Sequence, residues 1–140
     1  MYSLSPNKPA VLMVHNLTTR LLPIKSALSE FARVHAVKSK RSALSALQSV
    51  DDISLIMLDL ETPAMCAYEF LDFLESSQDY GRIPVIAVTL NPQDAIQKTL
   101  SKYDNVTGVI GKPSSIEEIR EMAAEILGAH TAQTEKGGEQ

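Results

Sequence analysis

Ile53-Ser54-Leu55-Ile56-Met57-Leu58, running directly into Asp59, is the stretch on which the reading of this chain turns. Apart from Ser54 its residues are continuously apolar, the pattern of a strand buried on both faces of a parallel sheet. Further apolar runs flank it: Ala10 to Val14 before, Ile83 to Val88 and Val106 to Ile110 after. Val34 to Val37 makes a fifth, shorter strand.

Between these runs the spacing becomes helical. Leu17, Leu21, Ile24, Leu28 and Phe31 fall on one stripe, with Thr18 or Thr19 as its cap and Pro23 near its first turn. Ser39 to Ser49 reads as a second helix with Leu44 and Leu47 inward, and Ala67, Phe70, Leu71 and Leu74 mark a third. Ile96, Thr99, Leu100 and Tyr103 line a fourth after Asn91-Pro92. The last helix has capping-box spacing at Ser115 and Glu118, and a buried face of Ile116, Ile119, Ala123, Ile126 and Leu127. Five strands alternating with five helices predict an α/β, doubly wound, five-stranded parallel sheet joined by right-handed crossovers. That domain spans 1–128, and 129–140, without periodicity, is expected to be a disordered C-terminal tail.

Composition narrows the function. A chain of 140 residues with 44% hydrophobic content supports one core. A net charge of −4, 5% aromatics and no Trp argue against direct nucleic-acid binding. The lone Cys66 excludes an internal disulfide and a cysteine-based zinc site, which fits a cytoplasmic protein. The longest apolar run, Ala10 to Val14, is far short of the roughly 18–20 residues of a membrane span, and residues 1–9 hold no signal-peptide core.

In a doubly wound sheet the chemistry lies beyond the carboxyl ends of the strands. Those positions are His15 and Asn16, Asp59, Thr89 and Lys112. A carboxylate acceptor, a hydroxyl donor and an ammonium counter-charge are a set that can hold a phosphoryl group.

Three segments make the pattern specific: Asp59-Leu60-Glu61-Thr62-Pro63-Ala64-Met65, Thr89 after Ile83-Pro84-Val85-Ile86-Ala87-Val88, and Lys112-Pro113 before a capped helix. In sequence and spacing they resemble the receiver domain of bacterial two-component response regulators, over about residues 8–128. The resemblance implies a flavodoxin-like (βα)5 fold with strand order 2-1-3-4-5. It implies that Asp59 accepts a phosphoryl group from a histidine kinase or phosphotransfer protein, with Thr89 turning toward the acyl phosphate and Lys112 pairing with Asp59 and then with phosphate oxygens. Asn16, Asp59 and the Glu61 backbone carbonyl would be the Mg²⁺ ligands, and the Lys112–Pro113 bond would be cis.

The chain departs from this family at the metal. Receivers normally carry two acidic residues after the first strand, where this sequence has His15 and Asn16. Mg²⁺ prefers hard anionic oxygens, so a neutral amide and an imidazole leave its binding weak or lost. Each missing carboxylate removes roughly 4 kcal/mol of gross attraction at ~4 Å and an effective dielectric of about 20, which water competition shrinks greatly. His15, protonated, is a candidate phosphate contact. Leu90 and Ala67 stand where the family usually has a small residue and a glycine, and Val109 where many members carry an aromatic.

Two functions follow. One is a single-domain response regulator in a phosphorelay, phosphorylated at Asp59 and signalling to a downstream protein through its surface. The other is a phosphorylation-independent pseudo-receiver acting as a protein-interaction module. The face built by the last two helices and the last strand, carrying Lys98, Lys102, Glu117, Arg120 and Glu121, is the candidate surface for output or for a homodimer; its bland alternative is a solvated surface. An independent enzyme is disfavoured, since the sequence lacks GxSxG, GxGxxG and Walker A motifs. His35 reads as a packed or edge residue, His130 belongs to the tail, and Cys66 has no neighbouring cation to activate it.

Overall fold

Strands β1 (Ala10–Val14) and β4 (Val85–Thr89) are buried along their whole length, as are the last five residues of β3 (Ile53–Asp59). Strands β2 (Arg33–Val37) and β5 (Val106–Gly111) are only partly covered. This difference follows from position. In this computed structural model the strands pair in parallel in the order β2-β1-β3-β4-β5, so the continuous apolar runs occupy the centre and the others the edges. The structure describes residues 8–14, 25–60, 67–89, 93–111 and 116–139.

The pleat divides the core in two. Val11, Met13, Leu55, Met57, Ile86 and Val88 pack with Leu28 and Ala32 and with α4 (Ile116–Glu139) on one face. Leu12, Val14, Ile56, Leu58, Val85 and Ala87 pack on the other, under α1 (Lys40–Ser49), α2 (Ala67–Ser76) and α3 (Asp94–Leu100). Each fully buried large aliphatic or Phe side chain contributes about 1.5–3 kcal/mol, so both faces are needed to hold so short a sheet. Residues 25–28 are helical. The rest of the first predicted helix, with Leu17, Leu21, Pro23 and Ile24, lies outside the described residues.

Local chemistry sets the element ends. Ser39 is the N-cap of α1: its Oγ accepts from the Ser42 N–H at 3.2 Å, and the Ser42 Oγ accepts from the Ser39 N–H at 3.2 Å. Helix α1 buries Ala43 and Leu47, while Leu44 is only half-buried; the small Ala43 falls on the face toward the sheet, one position from the expected Leu44. Strand β4 starts at Val85 rather than Ile83, because the Ile83 N–H is spent on Tyr80 O and Pro84 has no N–H to give a ladder. Helix α2 buries Ala67, Phe70, Leu71 and Leu74, as its spacing predicts.

The last two helices correct three expectations. In α3 Leu100 is buried and Ile96 half-buried, but Thr99 is exposed and its Oγ1 donates to Ala95 O at 3.0 Å. In α4 Ile119, Ala123 and Leu127 are buried, whereas Ile116 is 40% exposed, because it occupies the first turn. Residues 129–139, expected to be disordered, continue α4 as helix. Ala129, Ala132, Gln133, Glu135 and Lys136 favour helix while Thr131, Thr134, Gly137 and Gly138 do not, so propensity alone does not account for this extension past the apolar stripe ending at Leu127. Arg120 pairs with Glu30 across the surface, an exposed contact of small energetic weight.

Two features of the connections lead to measurable expectations. Between α2 and β4 the Ser77 Oγ accepts from the N–H groups of Asp79 and Tyr80, and the Gly81 N–H closes the turn onto Ser77 O at 3.0 Å. A Cβ on Gly81 would sit 2.6 Å from Ser77 O and 3.1 Å from Leu74 O, both backbone atoms that cannot move alone. Gly81→Ala is expected to destabilise by about 1–3 kcal/mol in urea unfolding. Gly128→Ala, in α4 with nothing within 4 Å of its Cβ, is expected to stabilise by about 0.5–1 kcal/mol.

Tyr103, after α3, donates its hydroxyl to Asp72 Oδ1 of α2 at 2.8 Å. Partial burial, together with the hydrogen bond to and charge of Asp72, pushes the phenol up from 10.0 to about 12. The folded state therefore keeps a proton that the unfolded chain loses first. Stability contributed by Tyr103 is fully present below pH 10 and is lost as pH rises toward about 12. Tyr103→Phe is expected to flatten that alkaline decline in chemical-denaturation curves, and to abolish one high-pH phenolate step in ultraviolet titration.

Candidate functional site

The parallel register carries two of the candidate residues to one rim of the sheet. Strand β3 ends at Asp59, which is opposite Val88, and β4 ends one residue later at Thr89, which is opposite Gly111 of β5. The Leu60 N–H donates to Val88 O at 2.9 Å, holding the chain beyond Asp59 against β4. Asp59 is 2% exposed and Thr89 fully buried. Both, like Gly111, have polar or electrostatic partners within the protein.

Burying a carboxylate and a hydroxyl at the end of an otherwise apolar sheet costs stability unless they are bonded, so the rim carries more polarity than packing requires. On the far side of β3, Val14, the last described residue of β1, is opposite Leu58, one residue before Asp59. The next two residues in sequence, His15 and Asn16, lie outside the described residues, as do Glu61, Leu90, Lys112 and Pro113 and the cap position Ser115. Lys112 follows directly on Gly111, the partner of Thr89. Cys66 is also outside the described residues. Ala67 is the buried first residue of α2, and Val109 is half-buried in β5.

Comparison with known structures bears on this arrangement. The signal receiver domain of a protein described as a Luxo repressor, from Vibrio parahaemolyticus, superposes with a TM-score of 0.79 at 21% identity, covering 91% of this chain and 95% of that one. The CheY-like response regulator receiver domain protein from Methanospirillum hungatei JF-1 gives 0.77 at 20% identity, covering 91% and 99%. The Mn²⁺-bound form of response regulator Rcp1 gives 0.70 at 19% identity, covering 84% and 91%. The chain has the receiver-domain fold. No family model matches the sequence, and no curated protein matches it. The receiver sheet order is the flavodoxin-like one expected from sequence.

At this receiver rim the donor set can be weighed against the divalent ion that the fold family implies. Among the described residues no three His, Cys, Asp or Glu side chains are grouped to hold a metal, and Asp59 is the one carboxylate at the strand ends. With His15 and Asn16 the next residues after β1, the set is short of anionic oxygen and does not fit tightly bound Mg²⁺. If that shortage is the cause, His15→Asp with Asn16→Asp is expected to tighten Mg²⁺ binding ~100-fold, at about 1.4 kcal/mol per carboxylate. Titration calorimetry on the wild type and the double variant checks this, and equal affinities would refute it.

Proposed function

We propose that this chain is a divergent receiver module of two-component signalling, phosphorylated at Asp59 by a histidine kinase or phosphotransfer protein. The observation that supports it best is the burial of Asp59 at the end of β3, with Thr89 ending the adjacent β4, in the receiver sheet order. A protected carboxylate is suited to accept phosphorus from a phosphohistidine: the P–N bond breaks, a P–O bond to Asp59 forms, and the imidazole leaves. In this reading the Thr89 hydroxyl donates to a phosphoryl oxygen, and Lys112 and protonated His15 supply positive charge. A cis bond before Pro113 orients Lys112, and the module spans 1–128.

The role is one of signalling rather than turnover. Its output goes to a downstream protein, or to a second copy in a homodimer, through the outer surface of α3, β5 and α4, in the cytoplasm. Among the described residues no helix is long and apolar enough to cross a membrane. A second reading, a pseudo-receiver that works by contact alone, is favoured by the replacement of the acidic pair with His15 and Asn16, since the Mn²⁺-bound Rcp1 shows a divalent ion on this fold.

Intact-mass measurement separates the two. After incubation with a small phosphodonor and Mg²⁺, the wild type is expected to gain a single phosphoryl group and Asp59→Ala none. Absence of the adduct from the wild type, with phosphorylated kinase as well as with the small donor, would establish the contact reading instead.

A further inference from the structure

Strand β2 is an outer strand of the sheet, and no strand pairs with its far edge among the described residues. The Arg33 N–H donates inward to Pro9 O at 2.8 Å. Alternation along the strand then turns the N–H and C=O groups of Val34 and Ala36 toward the open edge. Beside that edge a groove of about 630 Å³ runs between β2 and α1, with Lys25 at its border. Ser42, Ser45 and Ser49 of α1 line one wall, and small side chains there leave room for a main chain. His35 lines the other, and its Nε2 is buried without a hydrogen-bond partner.

The charge of this region opposes that of the whole protein. The chain has a net charge of −4, yet residues 31–50 contain no Asp or Glu and carry Arg33, Lys38, Lys40 and Arg41. Lys25, Lys38, Lys40 and Arg41 are exposed, and none is ion-paired among the described residues.

We infer that the groove between β2 and α1 is a docking site for an extended acidic segment of a partner protein, which adds to the sheet as a sixth strand beside β2. Backbone groups at Val34 and Ala36 are answered by another peptide backbone, which gives affinity, and acidic side chains of the added strand reach Lys25 and Arg41, which give selectivity. A second copy of this chain is a poor occupant, because two β2 edges bring like charges together. A nucleic acid offers no main chain for the edge. The site lies along the side of the sheet, away from the rim that holds Asp59 and Thr89, and does not depend on phosphorylation.

The test uses the full chain and a fluorescent peptide of about eight residues alternating glutamate and valine. Saturable binding is expected, with amide hydrogen exchange slowed at Val34 and Ala36. Lys25→Glu with Arg41→Glu, both exposed and compatible with folding, is expected to weaken it ~10-fold or more. A lysine–valine peptide and a peptide N-methylated at alternate residues are both expected to lose binding. The inference is overturned if the glutamate peptide does not bind, if the charge-reversed protein binds it equally, if either control peptide binds as well, or if a short DNA duplex binds in preference.

Discussion

The constraint on which the rest of this structure depends is the burial of β1, β3 and β4 on both faces at once. A parallel strand covered on two sides cannot return by a tight hairpin, so each connection crosses the sheet and every strand points the same way. All the carboxyl ends consequently gather at one rim. The aspartate after β3 and the threonine ending β4 are neighbours for that reason, although thirty positions separate them in the chain. Packing energy from two apolar layers thus assembles a polar site that has no local cause.

The rim is selective in what it keeps. The Asp59 carboxylate and the Thr89 hydroxyl are held out of water at the carboxyl rim of the sheet, and the two residues that follow β1 in sequence, His15 and Asn16, are not acidic. A basic groove lies at the flank of the sheet, beside the outer edge of β2, with which no strand pairs among the described residues.

Periodicity and composition were enough for the α/β class, the strand number, the parallel topology and the buried faces of α2 and most of α4, because burial on two faces writes a continuous apolar run and burial on one helical face writes a stripe. They failed where the signal is weak. Thr99 and Ile116 have the spacing of core residues but are exposed, and on α1 Ala43 is buried against the sheet while Leu44 is half-buried. Helix at 129–139 has no apolar stripe to announce it.

The positions of Asp59 and Thr89 at the ends of β3 and β4 were legible because strand ends can be counted along a chain, whereas His15, Asn16 and Lys112 lie outside the described residues. What the sequence by itself determined is therefore the class of fold and the chemistry offered at each strand end. Only the tertiary structure decided that Asp59 and Thr89 are buried on adjacent strands, and that β2 is an outer strand with no further strand beside it among the described residues. Both depend on which strands are neighbours and in what register, and residues far apart in the chain settle that together.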